Sequence, residues 1–166
     1  MSTFLKEFKF EKVPLKITYL DEEPLILNNK FVFFHNKSKL RKDLTKLQYL
    51  IKSYTNNPLQ AAGIRDSYLK EEFSETFLIV LLTLPETIQN TNNIIETYSN
   101  IEINSGCFYI ATNQNFMLLL TKDMKGFTAG INTMETILKQ VMEDYMSQKK
   151  FDDYIKICSF NLINCI

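Results

Sequence analysis

Tryptophan is absent from this 166-residue chain, and histidine occurs once, as His35. A single histidine leaves little room for a nucleophile–histidine pair or for a zinc centre built on imidazoles. Glycine and proline number four each, too few for a collagenous, low-complexity or linker-rich chain. No charge of one sign dominates: 19 Lys and Arg face 19 Asp and Glu. The chain therefore lacks the basic footprint of a dedicated nucleic-acid binder, and we expect no nucleic-acid partner. Long apolar stretches are missing too. The longest, Phe77 to Leu82, is a third of what a membrane-crossing helix needs, which argues against a membrane partner. Met1 to Phe10 alternates apolar and charged residues and offers no signal-peptide core. Cysteine is scarce and odd in number (Cys107, Cys158, Cys165), with no C-x-x-C pair, so free thiols in a reducing, cytoplasmic setting are expected.

What is present suits one α+β domain spanning residues 1–166. Leu15, Ile17 and Tyr19 alternate with Lys16, Thr18 and Leu20, a period of two that predicts a half-buried strand ending at Asp21-Glu22-Glu23-Pro24. Leu25–Leu27 and Phe31–Phe34 are further strand-like pieces around Asn28-Asn29-Lys30. They are read as a hairpin, a bulged strand or, by preference, a short strand leading into the next helix. Phe77–Leu82 is apolar on both faces and belongs in mid-sheet. Cys107–Thr112 and Phe116–Thr121 form the clearest hairpin, turning at Asn113-Gln114-Asn115, where asparagine tolerates a left-handed backbone. Tyr154 to Ile166 is strand-like and apolar.

Two helices stand out. Behind Ser38 as N-cap, Leu40, Leu44, Leu47, Ile51 and Tyr54 fall on one stripe of a 3.6-residue helix that ends near Asn56-Asn57-Pro58. Behind Asp123, the residues Phe127, Ile131, Met134, Leu138, Val141 and Tyr145 recur at steps of four and three. Gly130 interrupts that helix at a cost of about 1 kcal/mol, which a close approach to a neighbouring strand would explain. Leu59 to Glu75 reads as an irregular connection with a short helix at Arg65 to Glu72, and Pro85 to Asn100 as a surface excursion.

Candidate chemistry is sparse. His35 follows Phe33-Phe34 at a strand end and reads as a boundary histidine without a catalytic role. The carboxylate pairs Glu22-Glu23, Glu71-Glu72, Glu143-Asp144 and Asp152-Asp153 sit in turns, an irregular connection or a polar helix face, where solvated surface charge accounts for them. Lys122 to Gly126 carries one glycine and an acidic cap, unsuited to cradling phosphate. No catalytic, metal-binding or cofactor-binding residue is assigned, and no cofactor is expected.

The stretch Gly106 to Gln140 resembles the N-terminal, non-catalytic domain of family 20 glycoside hydrolases, the β-N-acetylhexosaminidases. That domain ends with two strands, an acidic residue, a glycine and a helix of pattern G-x-F-Y-G-[LI]-Q-T-L-x-Q-L. Here Tyr109-Ile110 and Met117-Leu118-Leu119 match the strands, followed by Asp123, Gly126, Phe127, Gly130, Ile131, Asn132, Thr133, Met134 and Gln140. Ala129 stands where the family has tyrosine, and Asp152 to Phe160 lacks the proline and Arg-Gly through which the family enters its catalytic barrel. The barrel's Asp-Glu pair has no counterpart, so the resemblance carries over no active-site residue.

These readings predict an α+β fold: a two-layer mixed sheet of about five to seven strands with two main helices, Leu40–Tyr54 and Asp123–Tyr145, packed on one face. Phe31–Phe34, the first helix and Phe77–Leu82 should form a right-handed parallel crossover. The function implied is that of a non-catalytic accessory or scaffolding domain whose partner is a catalytic barrel domain. The alternative is a free-standing intracellular or viral protein-interaction module that self-associates through its C-terminal strand, with Ile155, Ile157, Phe160, Leu162, Ile163 and Ile166 as the surface. A small enzyme with an unrecognised site is the third and weakest reading.

Overall fold

Seven strands hydrogen-bond into one sheet and two more into a small second sheet, with two helices laid over the large one. The computed structural model describes residues 4–27, 32–35, 38–54, 64–66, 77–82, 101–147 and 155–166. In chain order these carry β1 (Lys16–Tyr19), β2 (Leu25–Leu27), β3 (Val32–His35), a 3-10 turn at Ser38–Leu40, α1 (Arg41–Tyr54), β4 (Ile64–Asp66), β5 (Phe77–Leu82), β6 (Cys107–Thr112), β7 (Phe116–Thr121), α2 (Met124–Ser147), β8 (Ile155–Ile157) and β9 (Phe160–Cys165). The large sheet runs β1-β9-β6-β7-β5-β3-β4, and β2 pairs with β8 in the small one. The expected α+β class and mixed sheet are what the chain adopts.

Strand alternation divides the large sheet into two apolar faces. Phe33, Ile79, Leu81, Phe108, Ile110, Met117, Leu119, Phe160 and Leu162 share the main core with both helices. From α1 that core takes Leu44, Leu47 and Ile51, with Leu40 just ahead of the helix; from α2 it takes Phe127, Ile131, Met134, Ile137, Leu138, Val141 and Met142. Each such side chain contributes roughly 1.5–3 kcal/mol on burial, enough to seat helices that would be marginal alone in water. The opposite face buries Phe34, Leu78, Val80, Ala111, Phe116, Leu118 and Leu120, with Ile101, Ile103 and Tyr109 against them. β5 lies between β7 and β3 with both of its faces covered, as its unbroken apolar run predicts.

Four expectations are corrected. β3 pairs with β5 antiparallel, so the anticipated parallel crossover to Phe77–Leu82 does not form; the strand parallel to β3 beyond α1 is β4. Its Ile64-Arg65-Asp66 is extended where a short helix at Arg65 to Glu72 was expected, because β3 offers it a hydrogen-bonding edge; the rest of that expected helix lies outside the described residues. Pro85 to Asn100 lies outside them as well. The C-terminal stretch is two strands in two sheets. β9 runs between β1 and β6, paired on both sides from Phe160 to Ile163, and Ile155, Ile157, Phe160 and Leu162 are buried core residues, leaving only Ile163 and Ile166 of the expected surface exposed. Last, the β6–β7 turn has no left-handed asparagine. Asn113 works through its side chain: Oδ1 accepts from the amides of Asn115 (2.8 Å) and Phe116 (3.2 Å), and no non-glycine residue among those described has positive φ.

The segment before β1 straps across the main core. Phe8 is buried and meets Phe160 edge-on, with ring centroids 5.3 Å apart, and its amide donates to the Tyr19 hydroxyl at 3.0 Å. Beside it, Gln140 of α2 accepts from the Lys9 amide and donates to the Lys9 carbonyl, both at 2.8 Å. α1 and α2 are tied at the surface by Lys46–Glu135 (3.0 Å) and by the Tyr54 hydroxyl donating to Glu143 (3.2 Å).

Candidate functional site

The densest polar arrangement among the described residues surrounds Asp123, where the β7 strand turns into α2. Its carboxylate caps the helix by accepting from the Gly126 amide at 2.9 Å, while its own carbonyl accepts from the Phe127 amide at 2.9 Å. The same carboxylate reaches across to the turn before β6. There it accepts from the Gly106 amide (3.1 and 3.2 Å) and from the Ser105 hydroxyl. The Thr121 hydroxyl donates to the Asp123 carbonyl at 3.0 Å. The donors from Ser105, Gly126 and Gly106, in that neighbourhood of positive helix end, hold the Asp123 carboxyl below its usual range. Both oxygens of the group take donors from two different elements, so it fastens the start of α2 to the turn before β6.

Two glycines complete the joint. A Cβ on Gly126 would run into the backbone carbonyl of Cys107 in β6, and a Cβ on Gly130 would come within 2.5 Å of Leu119 Cδ1 in β7. α2 therefore meets the β6 backbone at Gly126 at a spacing only glycine permits, and at Gly130 it lies close against the Leu119 side chain of β7, the close approach the sequence predicted for Gly130. Gly106, at φ 75°, occupies the left-handed region and passes its carbonyl to the amide of Ile166 at 3.0 Å.

That last hydrogen bond fixes the phase of the β6–β9 ladder. Gly106 and Ile166 form a hydrogen-bonded pair, so Cys107 and Cys165, next along the register, form a non-hydrogen-bonded one, where side chains stand closest. Their Cα atoms are 3.9 Å apart and their sulfurs are joined in a disulfide across a sequence separation of 58. This corrects the expectation of three free thiols. The support that expectation lent to a reducing compartment goes with it. No sequence spacing announces the pairing, because only the β9–β6 register brings the two residues opposite each other. Cys158 is the free cysteine, buried, and burial pushes its thiol up to about 11.

His35 is buried on β3, opposite Ile79 of β5 and Asp66 of β4. Its strand lies three places from β6, roughly 14 Å at the usual strand spacing, so the histidine and the Cys107–Cys165 pair are not brought together. Of the carboxylate pairs, Glu22-Glu23 is exposed and Glu143 is engaged by Tyr54, while Glu71-Glu72 and Asp152-Asp153 lie outside the described residues. Among the described residues no group of three or more His, Cys, Asp or Glu side chains is placed to hold a metal ion, and no helix is long and apolar enough to cross a membrane.

No family model, curated protein or solved structure matches this chain.

Proposed function

We propose that the chain is a non-catalytic accessory or scaffolding domain, similar to the N-terminal module of the β-N-acetylhexosaminidases and serving a catalytic barrel domain as its partner. The observation that carries this reading is the use to which the motif residues are put. Asp123, Gly126 and Gly130, the positions that match the family pattern, all dock α2 against the sheet. The most recognisable part of the sequence is thus spent on architecture. A cytoplasmic setting belongs to the same proposal, and there a disulfide is as a rule transient or redox-sensing.

Assay of the purified, oxidised chain against a chromogenic N-acetylglucosaminide tests whether the domain is without catalysis of its own: no turnover above buffer is expected, and sustained turnover overturns the proposal. Whether the source reading frame runs on beyond Ile166 into a barrel-sized segment tests the accessory role. A stop codon at that point favours a free-standing module.

One observation favours that second reading, with a changed surface. β1 is an edge strand, and since Leu20 donates to Ser159 at 2.9 Å, the backbone groups of Ile17 and Tyr19 point away from β9. Beside that edge Val13 is 85% and Leu15 72% exposed, whereas most other apolar side chains among the described residues are buried. Self-association through β1 would make the chain a dimer by light scattering at micromolar concentration, and Leu15→Lys would return it to monomer. A monomer at all concentrations removes this reading.

A further inference from the structure

We propose that the Cys107–Cys165 disulfide is a redox-responsive clasp: a dithiol opens it in the folded chain, releasing the sheet margin at Gly106–Ile166 and loosening the Asp123 joint behind it.

Three features point this way. The first is position. Cys165 is half-buried at the end of β9, next to Ile166, which is 79% exposed, so the disulfide sits at the margin of the sheet and not in the core. The second is redundancy. Inward of the disulfide, β6 and β9 stay paired from Phe108–Asn164 to Thr112–Phe160, and β9 is held on its other edge by β1. Phe108, Ile110, Phe160 and Leu162 anchor the same strands in the main core. Breaking the bond frees the last rung without dismantling the ladder. The third is connection. Gly106, adjoining Cys107, accepts from Ile166 and donates to the Asp123 carboxylate, and the Cys107 carbonyl is the atom against which Gly126 of α2 packs. Strand end, turn and helix start therefore meet within two residues of the disulfide. A change at the clasp passes to the first turn of α2 through that set of contacts.

The chemistry balances as ordinary thiol–disulfide exchange. A thiolate of the dithiol attacks Cys165 Sγ, the sulfur–sulfur bond breaks, and Cys107 leaves as a thiolate that takes up a proton. The second thiol of the reductant then closes on its partner and releases Cys165, so two electrons pass to the protein and the dithiol becomes a disulfide. Cys158 does not intervene, because it is buried and its thiol stays protonated near neutral pH.

The test treats the oxidised full chain with dithiothreitol in native buffer, traps new thiols by alkylation, counts them by intact mass, and follows amide exchange by NMR. The expected result is two new alkylated thiols without denaturant. Exchange should be faster by about tenfold or more at Gly106, Gly126 and Ile166, with Leu119 and Leu138 unchanged. A Cys107→Ser/Cys165→Ser chain should show the fast pattern from the start and ignore the reductant. The clasp is overturned if reduction requires denaturant, if exchange at those three amides does not change, or if reduction unfolds the whole chain.

Discussion

Glycine at 126 and 130 and aspartate at 123 show how single residues set the geometry of this domain. The two glycines have the same sequence signal but different neighbours. At Gly126 an added Cβ meets backbone, which cannot step aside; at Gly130 it meets the tip of a leucine, which can. Gly126→Ala should therefore destabilise by about 1–3 kcal/mol or more. Gly130→Ala should cost less, since improved helix propensity returns about 1 kcal/mol. Urea titration of both variants separates the cases. Asp123→Asn tests the joint differently. Because the folded carboxyl titrates below its unfolded value, its stabilisation is complete above the unfolded pKa, about 4, and disappears as pH falls through the folded one. The wild-type chain should lose stability over that acid window, and the variant, weaker at neutral pH by roughly 0.5–2 kcal/mol, should lose less of it. Parallel urea titrations at pH 7 and pH 3 read the difference. The cap was legible in the sequence, since an acidic residue before an apolar stripe has a local meaning. Its second role, holding Gly106 across 17 positions, was not, because no local pattern encodes a contact between a helix start and a turn before another strand.

Among the elements, the two helices and the β6–β7 hairpin were legible for the same reason: periodicity and turn chemistry act within one or two turns of chain. All five stripe positions from Leu40 to Tyr54 and all six from Phe127 to Tyr145 pack toward the core as their spacing required. Strand partners were not legible. β3 could have paired in parallel with β5 through α1, and the short β4 took that place because three residues suffice to satisfy an edge. The strap before β1 was equally silent, since a brief alternation of charged and apolar residues at Lys6 to Glu11 does not say which helix and strand it lies against. It is nonetheless a structural element. Phe8→Ala should cost about 3 kcal/mol through loss of its contacts with Tyr19 and Phe160. Gln140→Ala should cost about 1 kcal/mol by removing the two bonds to Lys9. The double variant should lose less than the sum, because either change alone already frees the strap. A double-mutant cycle in urea measures the coupling.

For the whole molecule, the disulfide is the main long-range constraint outside the core. It closes a loop of 58 positions, for which chain-entropy reasoning gives about 4 kcal/mol of stabilisation. Reduction should lower the unfolding free energy by roughly 2–4 kcal/mol while leaving a folded chain, as denaturant titration of oxidised and reduced protein will show. A drop to zero would mean that the sheet and helices cannot hold without it. By itself the sequence determined the α+β class, the two helical stripes and the mid-sheet place of Phe77–Leu82. Each follows from residue type and near-neighbour spacing, which state what every segment must bury. Only the tertiary structure decided which strand lies beside which, that β9 is interior while β1 and β4 end the sheet among the described residues, and that Cys107 and Cys165 are partners. An apolar face specifies that it must be covered, but the identity and register of the segment that covers it depend on competition among all the others.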